Sequence, residues 1–104
     1  MKVLGENCFQ RSGIRRLTLS SRIESIDKRA FYECKSLEYA DLSAAHSLKT
    51  IWSEAFASCE ALRKVLLNDE LETISNECFA ESGLEEVLIP GSVRSIESRA
   101  FSDS

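Results

Sequence analysis

"AESGLEEVLIPGSVRSIESRAFSDS", residues 80–104, repeats a pattern that stands near the start of the chain as "QRSGIRRLTLSSRIESIDKRAFYEC", residues 10–34. Both segments contain Ser-Gly, an aliphatic residue, two charged residues, alternating aliphatics, a serine-containing turn, Ser-Ile and finally Arg-Ala-Phe. A pattern that recurs at a fixed distance is the sequence signature of a repeat architecture. The two copies therefore predict a chain of stacked repeats, each formed by one small supersecondary unit.

Phenylalanine marks the length of one repeat. Each phenylalanine follows a cysteine or an alanine, and an aliphatic residue stands five positions before it, as Ile51 does before Phe56. After each of the first four phenylalanines comes an L-x-x-V-x-L phrase or a close variant, such as Leu62, Val65 and Leu67. The phenylalanines are 22 to 25 residues apart, at Phe9, Phe31, Phe56, Phe79 and Phe101. One template thus accounts for nearly every large aliphatic residue.

A single unit of this template is too small to bury its own apolar face, whereas stacked units bury a continuous core. The alternating end of the L-x-x-V-x-L phrase predicts a short strand of a parallel sheet, and the V-x-x-I phrase predicts a second extended ladder. Segments such as "DKRAFYEC", residues 27–34, predict a helical or 3-10 turn on the opposite side. We expect a single-domain, right-handed solenoid of the α/β repeat class, with units 1–22, 23–47, 48–70 and 71–92 and a partial unit 93–104.

Charged residues support this alignment. Residues at one template position lie about 4.8 Å apart along a parallel ladder, so like charges at that position would repel. One position carries Arg15, Glu38, Arg63 and Glu85 in successive units, and another carries Lys2, Glu24, Lys49, Glu72 and Arg94. The sign alternates at every step. Because an exposed ion pair contributes only ~0–1 kcal/mol, the two ladders indicate the register of the coils more than their stability.

The consensus of the repeat is I-x-x-x-[AC]-F-x-x-[CS] followed by L-x-x-V-x-[LI]-P-x-S-V-x-x-I, most complete in "LEEVLIPGSVRSIESRAF", residues 84–101. It resembles the BspA-like leucine-rich repeats, found mostly in surface proteins of bacteria and protists. The chain departs from that family in keeping its usual glycine only at Gly5 and its proline only at Pro90. The resemblance implies a leucine-rich repeat solenoid with parallel strands on the concave face. It also implies an adhesin-like surface or secreted protein that binds a host or extracellular protein.

Composition argues against other classes of function. The net charge of −4 and the lack of a run of Lys or Arg argue against a nucleic-acid-binding protein. No apolar stretch approaches the ~20 residues of a membrane-spanning helix, so membrane insertion is not expected. No signal peptide is visible ahead of the first repeat. Localisation at the cell surface, or secretion, therefore follows from the family resemblance alone.

The sequence lacks the motifs of a catalytic, metal or cofactor site. His46 is the single histidine, and no G-x-S-x-G, H-E-x-x-H or glycine-rich phosphate loop accompanies it. The four cysteines form no C-x-x-C pair, which argues against zinc. Cys34 and Cys59 occupy one position of adjacent units, close enough for a disulfide, although buried free thiols are the alternative. We expect no enzyme activity and no cofactor, and the oxidation state of these two cysteines stays open.

The outward side chains of the L-x-x-V-x-L strands form the candidate binding surface, because solenoids bind partners on the concave strand face. Side chains alternate along a strand, so Leu66 and Leu88 are expected to be adjacent and exposed beside Tyr39 and Lys64. Such a mixture of apolar, aromatic and charged groups is typical of an interaction patch. The candidate partner-binding residues are Arg16, Tyr39, Asp41, Lys64, Leu66, Glu86 and Leu88, and the next outward column is Ser20, Ser43, Asn68 and Pro90.

Two hypotheses for function remain. The first is a non-enzymatic protein-interaction solenoid, and the alternative is a structural segment of a longer repeat array with no binding site of its own. Trp52 is predicted to lie on the convex rim, either as an incidental aromatic or as a contact to a partner. The terminal units lack the polar character of caps. We therefore expect self-association through the solenoid ends, or coverage of those ends by flanking coils of a longer protein.

Overall fold

The computed structural model describes residues 3–87, 89–97 and 99–101. Its described strands are β1 (Val3–Leu4), β2 (Arg16–Thr18), β3 (Ser25–Ile26), β4 (Tyr39–Asp41), β5 (Thr50–Ile51), β6 (Lys64–Leu66), β7 (Thr73–Ile74), β8 (Glu86–Val87) and β9 (Ser95–Ile96). The V-x-x-I segments form a five-stranded sheet of order β1-β3-β5-β7-β9, and the L-x-x-V-x-L segments form a four-stranded sheet of order β2-β4-β6-β8. Every pairing is parallel. Both predicted ladders are therefore confirmed.

The pairing of the strands follows the sequence alignment of the repeats. In the five-stranded sheet Ile26 pairs with Ile51, and Ile51 pairs with Ile74. In the four-stranded sheet Ala40 pairs with Val65. Residues at one template position thus stack directly on one another along the solenoid, as the sequence alignment predicted. The right-handed sense and the curvature of the solenoid stay predictions.

Phenylalanine side chains form one continuous column inside the solenoid. Successive rings from Phe9 to Phe101 are nearly parallel, with centroids 5.1–5.3 Å apart and interplanar angles of 4–5°. The three central rings, of Phe31, Phe56 and Phe79, are completely buried. Phe9 belongs to the first coil and is 37% exposed. The predicted column is confirmed, with its central rings more deeply buried than the ring at the first coil.

The prediction of helical or 3-10 turns around the phenylalanines is wrong, because these segments are turns in which alternate amides bond in different directions. The N–H groups of Ala30 and Tyr32 donate to carbonyls three residues back within the same coil, at 3.1 and 3.2 Å. The N–H of Phe31, between them, donates to the Ala55 carbonyl of the next coil at 2.8 Å. A helix would direct all of these amides along its own axis. Half of the turn amides therefore tie neighbouring coils together.

Left-handed backbone conformations produce this alternation. They recur four residues apart in the turns, as at Arg29 (φ 58°) and Glu33 (φ 56°). The others are at Asn7, Arg11, Glu54, Ser58, Glu77, Glu81 and Arg99. A side chain other than glycine in this conformation costs ~1–2 kcal/mol, which the inter-coil hydrogen bonds offset.

Within the described residues, no helix is long and apolar enough to cross a membrane.

Candidate protein-binding face

The outward side of the four-stranded sheet carries most of the predicted partner-binding residues. The central residues of its first three strands turn toward the core, where Ala40 and Val65 are almost completely buried. The flanking residues point the other way and remain at the surface, exposed or half-buried. We call this surface the strand face, and it consists of Arg16, Thr18, Tyr39, Asp41, Lys64 and Leu66. The predicted alternation of inward and outward side chains is confirmed along these strands.

Two cations flank a tyrosine in one row of the strand face. Arg16 pairs in register with Tyr39, and Tyr39 pairs with Lys64. Both cations are exposed, and Tyr39 is half-buried between them. Among the described side chains, no carboxylate lies within ion-pair distance of Arg16 or Lys64. Glu86 is next in register after Lys64, but its side chain lies outside the described part of the structure.

The second row of the strand face combines a turn-bound carboxylate with an apolar side chain. Asp41 accepts hydrogen bonds from the Ser43 hydroxyl at 2.6 Å and the Ser43 N–H at 3.0 Å. These two bonds stabilise the ionised form and lower the pKa of the Asp41 carboxyl. Leu66, in register with Asp41, is half-buried and keeps part of its side chain at the surface. The predicted neighbour of Leu66, Leu88, lies outside the described residues.

One position predicted to point outward does not. Asn68, in the column that follows the strands, is almost completely buried. Its side-chain amide donates to the Leu48 carbonyl at 3.2 Å, and its side-chain oxygen accepts the N–H of Glu70 at 2.7 Å. The strand has ended before this residue, so period-two alternation no longer applies, and the amide is drawn inward by backbone groups that need partners. Asn68 therefore stabilises a turn and does not belong to the strand face.

Ion pairs away from the strand face join neighbouring coils. Glu85 lies 3.6 Å from Arg63 on the adjacent coil, as the first charge ladder predicts. Lys49 departs from the second ladder, because its ammonium lies 3.2 Å from Glu70. Other pairs among the described side chains are Arg11 with Glu33 at 3.0 Å, Arg29 with Glu54 at 3.1 Å, Lys35 with Glu60 at 3.6 Å and His46 with Asp69 at 3.6 Å. Each of these pairs joins neighbouring coils, and each contributes ~0–1 kcal/mol.

The cysteines act as structural side chains. Cys34 and Cys59 are free thiols, and their Sγ atoms donate to the carbonyls of Phe9 and Phe31 on the preceding coil, each at 3.1 Å. A hydrogen bond with Cys34, together with burial, raises the pKa of Cys59, and burial raises the pKa of Cys78. Protonated, buried thiols such as those of Cys59 and Cys78 are poor nucleophiles, whereas the hydrogen bond with Cys59 lowers the pKa of Cys34. Among the described residues, no three His, Cys, Asp or Glu side chains group together as a metal ion requires.

Trp52 lines a surface groove away from the strand face. Its side chain is 49% exposed, and it borders a groove of about 380 Å³ together with Glu6, Asp27, Lys28 and Ser53. The template position of Trp52 is occupied by Gly5 in the first coil, where an added Cβ would meet no atom within 4 Å. The groove thus lies between Trp52 and the corresponding turns of the two preceding coils. Its lining mixes acids with a lysine and does not select one kind of ligand.

The coil geometry, the phenylalanine column and the repeat register together decide the family. The chain belongs to the BspA-type leucine-rich repeats. The family model for the BspA type leucine rich repeat region, which contains six copies of the repeat, matches residues 1–104. Leucine-rich repeat proteins generally mediate protein–protein interactions and are generally not enzymes. The family predicted from the consensus is thereby confirmed.

Two solved structures resemble the chain. A leucine-rich repeat protein from Bacteroides ovatus shares 30% identity and a TM-score of 0.86, over 96% of this chain and 26% of that one. A leucine rich cell surface protein from Faecalibacterium prausnitzii shares 23% identity and a TM-score of 0.63, over 97% of this chain and 34% of that one. The second likeness supports the fold alone. The chain spans only about a quarter to a third of the length of these proteins, and no curated protein matches it.

Proposed function

We propose that this chain is a non-enzymatic protein-interaction solenoid of an adhesin-like surface or secreted protein, and that it binds its partner through the strand face. The observation that carries the proposal is the composition of that face. A half-buried tyrosine and a partly exposed leucine lie among exposed cations on adjacent parallel strands. Aromatic and aliphatic groups surrounded by charged ones are typical of protein interfaces.

The backbone supports this proposal by holding the face rigid. The strands below it are tied by parallel pairing, and the opposite side of each coil is tied by the turn hydrogen bonds to the next coil. A backbone held in this way loses little additional freedom when a partner binds, which lowers the entropic cost of association. The F. prausnitzii structure is that of a cell surface protein, and we extend that location to this chain as part of the proposal.

The test is a binding experiment with matched surface variants. The immobilised chain would be exposed to extracellular protein fractions, alongside Leu66→Glu and Tyr39→Ala on the strand face and Trp52→Ser off it. We expect both strand-face variants to lose the bound proteins and Trp52→Ser to retain them. Equal capture by all variants, or loss only with Trp52→Ser, would show that the strand face is not the binding surface. Circular dichroism would confirm that each variant remains folded.

A second candidate function is that of a structural segment within a longer repeat array. The observation in its favour is the exposure of apolar side chains on the outer coils, with Val3 at 48% and Ile96 at 49%. In a longer solenoid such side chains would be covered by flanking coils of the same kind. This candidate predicts that none of the three variants above changes any binding by the chain. The same experiment therefore distinguishes the two functions.

A further inference from the structure

The charge of the strand face opposes that of the whole chain. The chain has a net charge of −4, yet Arg16 and Lys64 face solvent on either side of Tyr39 without an ion-pair partner among the described side chains. The nearby carboxylate of Asp41 is held by Ser43. Within the described part of the chain these two cations have no ion-pair partner, so they are available to carboxylates of a binding protein, and this row favours an acidic ligand.

The spacing of the two cations restricts the shape of that ligand. Arg16 and Lys64 are separated by one intervening strand, which places their backbones about 9.6 Å apart along the solenoid axis. A polyproline II helix advances about 3.1 Å per residue and has three residues per turn, so residues i and i+3 share a face about 9.3 Å apart. Acidic residues at i and i+3 of such a segment match the two cations.

Tyr39 offers the ligand an aromatic surface between the two cations. Proline-rich segments in this conformation dock on exposed aromatic rings in other recognition surfaces, because the segment is already extended and loses little entropy. Tyr39 lies between Arg16 and Lys64 in the same register row. Leu66 lies two residues beyond Lys64 on the same strand, with part of its side chain exposed. An apolar residue of the ligand can therefore contact Leu66 while its prolines cover Tyr39.

We propose, building on the function above, that the strand face binds an acidic, proline-rich segment of a partner protein that runs along the solenoid axis. Its carboxylates, three residues apart, bind Arg16 and Lys64, and its prolines pack on Tyr39. Glu86 follows Lys64 in the register, and its negative charge would repel the carboxylates of the ligand. Removal of that charge by Glu86→Gln is expected to strengthen binding.

The probe is a fluorescein-labelled peptide that repeats Glu-Pro-Pro, measured by fluorescence polarisation against the wild-type chain. Peptides that repeat Gln-Pro-Pro and Lys-Pro-Pro test the charge. A peptide that alternates Glu and Pro tests the spacing, because its carboxylates on one face of the helix are six residues, about 18.6 Å, apart. We expect binding only of the Glu-Pro-Pro repeat, weakened by added salt because the contacts are exposed ion pairs.

Charge reversal locates the site. The double variant Arg16→Glu/Lys64→Glu should bind the Glu-Pro-Pro repeat at least ~10-fold more weakly, since two attractions become repulsions. Its control is Arg22→Glu/Lys28→Glu, which changes the net charge equally at exposed cations off the row. This control should retain binding to within about twofold, because screening makes distant surface charges weak. Tyr39→Ala should also weaken binding, and thermal unfolding would verify that all variants are folded.

The possible outcomes separate this inference from the proposed function. Equal affinity for the Gln-Pro-Pro and Glu-Pro-Pro repeats, equal loss in both double variants, or no binding of any peptide would overturn the inference. None of these results would contradict the proposed function. That function is tested separately, with Leu66→Glu and with protein partners. Selective binding of the Glu-Pro-Pro repeat that only the row variant loses would support the inference.

Discussion

The guanidinium of Arg63 lies where a side chain at position 83 would have to go. Arg63 Nη1 donates to the carbonyl of Glu60 at 3.0 Å and to the carbonyl of Gly83 at 3.3 Å. A Cβ added to Gly83 would overlap this guanidinium and lie 2.5 Å from the Glu60 carbonyl. The exposed end of Arg63 can move aside, so the glycine of this Ser-Gly turn is required chiefly by the backbone carbonyl of Glu60 on the preceding coil.

Gly83→Ala is therefore expected to destabilise the fold by ~1–3 kcal/mol, the range for forcing atoms into a packed site. The matched control is Gly13→Ala, in the other Ser-Gly turn, where an added Cβ meets no atom within 4 Å. That substitution should be neutral or stabilise by up to about 1 kcal/mol, because alanine restricts the unfolded chain. Urea unfolding of both variants provides the measurement. Equal midpoints would show that the Glu60 carbonyl does not constrain this turn.

Phe56→Ala should remove the centre of the ring column. Phe56 is completely buried, and its ring lies 5.1 Å from that of Phe31 and 5.3 Å from that of Phe79. Truncation of a buried phenylalanine costs ~3–5 kcal/mol, which approaches the whole stability of a small domain. Phe9→Ala is the control, and its smaller cost follows from its 37% exposure. A wild-type urea midpoint for Phe56→Ala would contradict the column as the source of stability.

The sequence predicts the core and the register because repetition gives the same information several times. Phe31, Phe56 and Phe79 occupy one template position, so an error at one unit would be exposed by the others. The turn geometry could not be predicted in this way. Its hydrogen bonds join coils distant in sequence, as Phe31 N–H does with the Ala55 carbonyl. Its left-handed residues include Glu33 (φ 56°), a residue type that local propensity would place in a helix.

The candidate site was predictable in its alternation but not in its details. Tyr39 and Lys64 share a row because strand register fixes it, and the sequence places both residues at one template position. The side chain of Asn68 points inward because its amide donates to the backbone carbonyl of Leu48, which lies about one coil earlier in the chain. Nothing in the order of residues around Asn68 indicates that carbonyl. Polar contacts between coils therefore require the structure, whereas apolar periodicity does not.

Stability should fall at alkaline pH through the buried thiols. Burial raises the pKa of Cys78 above that of an unfolded thiol, so the fold favours the protonated form. This contribution is fully present below about pH 8.5, the ordinary thiol value, and is lost as the pH rises toward the folded pKa. Urea midpoints at about pH 7 and about pH 9.5 should differ less for Cys78→Ala than for the wild type. Burial also raises the pKa of Cys8, but that thiol is exposed, so Cys8→Ala should retain more of the wild-type difference than Cys78→Ala does.

The direction of the turn hydrogen bonds predicts how copies of the chain associate. The N–H of Phe9 donates to Ala30, that of Phe31 to Ala55, and those of Phe56 and Phe79 to Cys78 and Ala100. All of these bonds point from one coil to the next. At these turns, one end of the solenoid therefore offers carbonyls and the other offers N–H groups.

If two identical ends met, the turn carbonyls of one copy would face those of the other. We therefore expect copies to stack head to tail, with Val3 and Phe9 of one copy near Ile96 of another. These side chains are 48%, 37% and 49% exposed, and such contacts between unlike surfaces form open-ended assemblies. Sedimentation at increasing concentration should show a growing average mass. Val3→Glu should suppress this growth, whereas Arg22→Glu, an exposed charge change away from the end, should not. A monomer at every concentration would contradict the prediction.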